Sequence, residues 1–319
     1  MLHSILTFRD LATAYLTIQL KGKASQGEYA GIYRTYFEES WGPLPLDQIH
    51  RFRVMELSQS LTPHPARANK VIGFVKQAYS WGQTTINPAT HRPYWEGENP
   101  AWRVTRHDSF ARERVMTHAE IATLFNDLDW YELKYQAFYI NRLLVPCRLR
   151  ELCGMRRDAV SDTGKWVKGK TKNGRPHVIH VPRQAMEYLA QLPPTWLDRH
   201  TYTRVPHIYF FPGQYGQPLS PNSVQKMWRK HRESLHMPDL WLLDFRRTLH
   251  TYLYRVMKVD DLTAKALLNH YDSRPVAIYV RLDYDYLATI LQGYADWVWQ
   301  FKQPTTKSKQ APEQLATVG

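Results

Sequence analysis

Apolar positions in the first hundred residues recur every three to four places, which predicts helices packed through one face. In "FRDLATAYL" the residues Phe8, Leu11, Tyr15 and Leu16 share a side, and Thr7 stands where its hydroxyl can cap the first turn. The same periodicity predicts helices over 26–39, 47–60 and 65–81; in the last, Val71, Ile72, Val75, Ala78 and Tyr79 align. From Asn87 to Arg114 the period is lost in "NPATHRPYWEGENPAWRVTRHDSFARER", a stretch rich in Pro, Trp and Arg that reads as a linker.

Thr117-His118-Ala119-Glu120 matches the capping box, in which the Thr and Glu side chains satisfy free backbone N–H groups, and a second domain is expected to start there. Helical spacing continues over 117–127, 131–144, 147–156, 183–191, 221–235, 245–257, 260–269 and 285–301. Between them, "WVKGKTK" and "RPHVIHVP" flank Asn173-Gly174, the two-residue signature of a type I′ hairpin turn. The expected fold is α+β and mainly α: a helical bundle over 1–96, a basic linker over 97–115, a mixed domain with a small β-hairpin over 116–302, and a polar tail over 303–319. That tail either packs on a neighbouring subunit or hangs free.

Composition narrows the function. The 42 Lys and Arg against 29 Asp and Glu leave a net charge of +13, which points to a polyanionic partner, nucleic acid before an anionic membrane. No window approaches the roughly 18 consecutive apolar residues of a membrane span, and "MLHSILTFRD" is too short and too soon charged for a signal peptide, so a cytoplasmic protein is expected. Cys147 and Cys153, six apart in a helical segment, have neither disulfide nor zinc spacing and read as buried small apolar residues. His177 and His180 lie three apart in a strand and so point to opposite faces, which argues against a metal site. Gly164 to Thr171 satisfies the pattern of a phosphate-binding loop, but such a loop must lead from a strand into a helix; here the chain runs on into a β-turn and a strand, and a nucleotide hydrolase is not expected.

Several groups could hold and attack a phosphodiester. Arg148 and Glu151 are three apart and share a helix face; Arg246 falls in the first turn of the expected helix at 245; His270 ends another helix, and Tyr279 follows nine residues later, past Pro275. Spacing alone does not join them. Together they resemble the tyrosine recombinases of the phage-integrase family, whose pattern runs arginine-x-x-glutamate-leucine, a hairpin lysine, a second arginine followed by arginine or histidine and threonine, leucine-glycine-histidine, and a tyrosine nine residues on. Arg148-Leu149-Arg150-Glu151-Leu152, Lys172, Arg246-Arg247-Thr248, Leu268-Asn269-His270 and Tyr279 stand in that order. "TFRDLATAYL", "RANKVIGFVKQAYSWG" and "NPA" are similar to the helical (SAM-like) core-binding domain of such integrases, and "ARERVMTHAEIATLF" to the start of their catalytic domain.

The resemblance implies a DNA strand transferase that needs neither metal nor ATP, and no cofactor. Tyr279, with Tyr271, Tyr284 and Tyr286 as rivals, would attack a phosphate of double-stranded DNA to form a 3′-phosphotyrosine link, Arg148 and Arg246 would grip the non-bridging oxygens, Lys172 would protonate the leaving 5′ oxygen with Lys168 and Lys170 as competitors, and His270 would bond the phosphate or take a proton. Glu151 would brace the site. It further implies a homotetramer on two DNA sites, monomeric or weakly associated when free, and a possible directionality or host DNA-bending factor. Two departures stand out: Leu243 occupies the place of a usual histidine, and Val145-Pro146-Cys147 replaces a small threonine-glycine turn. The alternative is a catalytically weak integrase-like DNA-binding accessory or regulatory protein.

A clamp of two domains around a duplex would draw phosphate contacts from Arg103, Arg106, Arg112 and Arg114 and from Lys226, Arg229, Lys230 and Arg232. Each charge otherwise merely solvates the surface. DNA affinity is therefore expected to fall steeply with salt, the log–log slope losing about 0.9 for each phosphate contact removed; a slope near zero in a fluorescence-anisotropy titration would contradict the clamp.

Overall fold

A computed structural model describes residues 6–169, 176–198, 203–270 and 283–302. The chain divides into two compact units between Arg112 and Glu113. Lys172, Tyr279, the Asn173-Gly174 turn and the tail after Lys302 lie outside the described residues. Among the described residues no helix is long and apolar enough to cross a membrane.

The first unit is helical: α1 (Phe8–Ala14), α2 (Gln26–Tyr36), α3 (Arg51–Ser60) and α4 (Pro65–Thr84). Thr7 caps α1 as expected, its hydroxyl accepting from the Asp10 amide at 3.3 Å while the Asp10 carboxylate accepts from the Thr7 amide at 2.9 Å. A π-helical turn, Tyr15–Gln19, extends α1. The core is aromatic: Phe8 meets Phe37 edge-on with centroids 5.4 Å apart, and Phe37 stacks on Phe74 at 5.7 Å. Such offset and edge contacts add to area burial because ring faces are negative and edges positive. The expected 47–60 helix is split: a 3-10 turn, Leu46–Gln48, precedes α3.

After α4 a two-residue antiparallel pair forms, β1 (Ile86–Asn87) with β2 (Arg92–Pro93), where only irregular chain was expected. The chain beyond it is also held. The buried Asn99 amide donates to Lys76 O and Ser80 Oγ, both at 2.8 Å, and Asn69 exchanges two hydrogen bonds with the His107 backbone, at 2.8 and 2.9 Å.

The second unit is the mixed α+β part. Its helices are α5 (His118–Asp127), α6 (Leu133–Leu144), α7 (Leu149–Cys153), α8 (Arg183–Ala190), α9 (Pro221–Ser234), α10 (Leu242–Arg255), α11 (Asp261–Leu267) and α12 (Tyr284–Trp299). The hairpin pairs β3 (Lys165–Lys168) antiparallel with β4 (His177–His180), Lys168 opposite His177. A second hairpin, β5 (Thr195–Asp198) with β6 (Thr203–Pro206), was not expected. The phosphate-loop match begins at Gly164, just before β3, and runs along that strand instead of leaving a strand for a helix.

α6 is the central element. From Ala137 to Leu144 every residue is buried, so the helix is enclosed on all sides, against α7, α8, α10 and α12. Each fully buried Leu, Ile or Phe there contributes about 1.5–3 kcal/mol. Polar residues in such a helix need partners: Asn141 donates to Ala137 O at 2.9 Å, and Arg142, 1% exposed, donates to Leu242 O at 2.9 Å and Cys147 O at 2.6 Å. Arg142 thus ties the end of α6 to the 145–147 turn and to the start of α10, while Cys147 and Cys153 are both buried and free.

Two helices differ in extent from the periodicity. α7 stops at Cys153 rather than 156, because the chain turns at Gly154 and enters sheet-like pairing, Phe210 N–H donating to Met155 O at 3.0 Å and Arg157 N–H to Ile208 O at 2.7 Å. α10 begins at Leu242, three residues before the expected start: Asp244, fully buried, accepts from the Trp241 amide at 2.8 Å and closes the first turn. Arg246 therefore sits in the second turn, not the first.

Replacing Arg142 with Met would leave the Cys147 carbonyl without its donor inside the core. Stability is expected to drop by about 1–3 kcal/mol, the cost of a buried group stripped of its partner, as read from the midpoint of urea unfolding.

Candidate active site

Pro146 is the centre of a tight turn in which Cys147 N–H donates to Val145 O at 2.8 Å, a three-residue turn suited to the fixed φ of proline. That turn presents two carbonyls inward. Cys147 O takes Arg142; Pro146 O accepts from Arg246 Nη1 at 2.9 Å. The departure from threonine-glycine noted in the sequence is thus a carbonyl platform for a guanidinium.

The second platform is the end of α11. Asn269 adopts φ +50°, and the turn closes with His270 N–H donating to Lys265 O at 2.9 Å and Asn269 N–H to Ala266 O at 3.1 Å. This is the Schellman arrangement, whose left-handed position calls for Gly or Asn. Asn269 standing for glycine in leucine-glycine-histidine follows from that geometry. The turn leaves two carbonyls free to receive the arginines: Leu268 O accepts from Arg246 Nη2, and Asn269 O accepts from Arg148 Nη2 at 3.2 Å. His270 Nε2 lies 3.2 Å from Arg246 Nη2.

Arg148 occupies the cap position before α7, with φ −76° and ψ 152°, and its amide donates to Glu151 Oε2 at 2.9 Å. Its guanidinium Nη1 lies 3.1 Å from Glu151 Oε1. The same carboxylate receives Lys168 Nζ at 3.0 Å, from the last residue of β3. Burial opposes ionisation of Glu151, but Lys168 and then Arg148 outweigh it and hold its pKa below the usual carboxylate value.

The site is strongly cationic, and the titrations follow. Burial lowers Arg246 to about 10, still protonated at neutral pH. His270 is lowered to about 4, first by desolvation and then by Arg246, although much of its surface remains exposed, so its imidazole is neutral and able to accept a proton. His177, opposite Lys168, also falls to about 4 by desolvation and Lys168, and its Nε2 lies 3.2 Å from Ala266 O. Among the described residues, no three His, Cys, Asp or Glu side chains gather as a metal site.

Arg148, Glu151, Arg246 and His270, separate in sequence, are therefore brought together. Arg246, expected in the first turn of its helix, is instead anchored by two backbone carbonyls from the second turn of α10. Asp244 pairs with Arg247 at 2.7 Å instead of Arg246. Leu243 is 54% exposed on the first turn of α10. Sequence reasoning missed Arg142, and it weighed His177 only as a metal ligand and Lys168 only as a proton donor. An arginine at 142 inside an otherwise apolar period was the available signal.

The proposed DNA contacts divide. Lys226, Arg229 and Lys230 are exposed on α9, whose opposite face buries Val224 and Trp228. Arg103 and Arg106 are exposed in the first unit, as is Arg112 at its end. Arg114 is bound by Glu120 and by Asp239, the latter at 2.8 Å, and Arg232 lies over the Trp241 ring at 4.4 Å with Nη1 donating to Leu240 O. Those two arginines serve the fold as they stand.

Comparison with known proteins identifies the group. The profile of the phage integrase family matches residues 114–285, more than half of the chain, and the protein belongs to that family. Tyrosine recombinase XerC of Pseudomonas fluorescens is 28% identical over 144 residues, 45% of this chain and 46% of that protein, so the chain aligns with about half the length of this curated relative. A lambda integrase tetramer bound to a Holliday junction superposes with TM-score 0.64 at 13% identity, over 98% of this chain and 81% of that one. The Tn1549 transposon integrase in complex with circular intermediate DNA gives 0.57 at 14% identity, over 92% and 98%. These likenesses establish the recombinase fold.

The left-handed turn at Asn269 can be tested directly. Asn269→Val forces a β-branched residue into that conformation and is expected to lose about 1–2 kcal/mol of stability relative to Asn269→Gly; equal thermal midpoints for the two variants would contradict the assignment.

Proposed function

We propose that the chain is a site-specific DNA recombinase of the integrase type, cleaving and rejoining strands through a 3′-phosphotyrosine intermediate. The observation that carries this reading is the convergence of Arg148 and Arg246 on one turn, beside a neutral His270, in a member of the phage integrase family.

The Tyr279 oxygen attacks the scissile phosphorus while the bond to the 5′ oxygen breaks, so one phosphodiester replaces another and no ATP is consumed. Arg148 and Arg246 offset the charge that accumulates on the non-bridging oxygens, where fixed donors in a site poor in water act most strongly. His270 receives the Tyr279 proton, and Lys172 delivers one to the departing 5′-hydroxyl. Tyr279 and Lys172 enter through their places in the family motif. Rejoining is the reverse attack by another 5′-hydroxyl.

In this reading residues 1–96 bind the core DNA site, 97–115 link, 116–302 carry the chemistry and 303–319 form a tail. The exposed cations of α9 and of the linker contact phosphates. The active form is a homotetramer on two double-stranded DNA sites in the bacterial cytoplasm, assisted where direction matters by a directionality or DNA-bending factor, and the element served is a phage or other mobile DNA.

A nicked duplex carrying a site selected by the protein from random DNA decides the matter. Wild type is expected to yield a denaturant-stable protein–DNA adduct and Tyr279→Phe none, while Arg148→Ala slows adduct formation by about 10²–10³-fold. A bound site that yields no adduct with the wild-type chain would make the protein an accessory DNA-binding factor.

A further inference from the structure

Lys168 and His177 form the last described rung of the β3–β4 hairpin. Directly opposed residues of an antiparallel pair project to the same face with Cβ atoms about 4.5–5.5 Å apart. Each reaches a different part of the site. The Lys168 ammonium, on a residue only 7% exposed, lies 3.0 Å from Glu151 Oε2 on α7; the His177 imidazole lies 3.2 Å from Ala266 O on α11, the helix that ends in the turn holding Arg148 and Arg246.

The charges matter as much as the seating. Glu151 is shared by Arg148 and Lys168. Alone, a carboxylate and a guanidinium close on each other through two parallel hydrogen bonds and cancel. With Lys168 on Oε2, which also accepts the Arg148 amide, only Oε1 receives the guanidinium, through Nη1. The trio keeps one net positive charge, and Arg148 Nη2 is turned to the Asn269 carbonyl beside His270.

We propose that Lys168 is a positioning residue: its ammonium occupies the Glu151 carboxylate and so keeps the Arg148 guanidinium available to an incoming DNA phosphate, while His177 seats the same rung against α11. This rests on the recombinase reading and adds to it a residue that touches no substrate. A buried ammonium with no carboxylate partner would be costly, which explains why Lys168 and Glu151 occur together.

The experiment compares Lys168→Met and Lys168→Arg, each in the wild-type and the Glu151→Gln background. Two measurements are made: the single-turnover rate of adduct formation on saturating nicked DNA, and modification of Arg148 by phenylglyoxal, read by peptide mass mapping. Lys168→Met is expected to slow adduct formation by about 100-fold at full DNA occupancy, to protect Arg148 severalfold from the reagent, and to do far less of both in the Glu151→Gln background. Lys168→Arg, which keeps the charge, restores the rate and the labelling. Unchanged Arg148 labelling in Lys168→Met, or the same fold-loss in both backgrounds, overturns the proposal. If wild type forms no adduct, the recombinase reading fails, and the labelling comparison still decides the role of Lys168.

Discussion

The left-handed turn that ends α11 is the constraint on which the site depends. A helix leaves its last carbonyls without intrahelical partners. Here, Leu268 O and Asn269 O receive donors from Arg246 and Arg148, side chains that arrive from α10 and from the cap of α7. Two guanidiniums would repel each other if brought together without compensation. The carbonyls of that turn, Pro146 O and the Glu151 carboxylate offset the repulsion and still leave an excess of positive charge.

The surrounding core serves that arrangement. α6 is buried throughout its last two turns, and Arg142 at its end reaches the turn that holds Arg246 and the first residue of the helix that carries it. This third guanidinium near Arg148 and Arg246 is not open to a ligand, because Arg142 is only 1% exposed and is sealed inside the core. It acts on Arg246 through the geometry it imposes and through its charge, which adds to burial in lowering the Arg246 pKa. The start of the second unit is tied to the same helix, with Met116 N–H donating to Thr248 Oγ1 at 2.9 Å and Tyr252 hydroxyl to Met116 O at 3.0 Å.

Neutral histidines follow from the same electrostatics. Desolvation first, and then the neighbouring Arg246 or Lys168 charge, disfavours a second proton on His270 and His177, so both rings are neutral at neutral pH. That is the state a proton acceptor requires, and it arises without any carboxylate partner for either ring among the hydrogen bonds described. Where the family commonly places a further histidine, Leu243 is exposed and offers no proton chemistry.

Local rules made part of this legible. The Thr7 and Thr117 caps, the helical periods and the β3–β4 hairpin could be read from the chain because each depends on neighbours within a few residues. The order of Arg148, Glu151, Arg246 and His270 was readable as a motif. The β5–β6 hairpin was not, since its four-residue strands carry charged residues, no Asn-Gly turn and prolines at their edges. Nor was the placement of Arg246 in the second turn of α10, which turns on one buried carboxylate closing the helix three residues early. Burial of Arg142 and Lys168 was equally hidden, because a charged side chain looks the same in sequence whether its partner is water or a carbonyl a hundred residues away. The chain by itself determined which residues could carry charge to a phosphate and which segments would be helices; only tertiary packing decided which of those charges face inward, because their partners are backbone oxygens and one carboxylate that folding alone brings within reach.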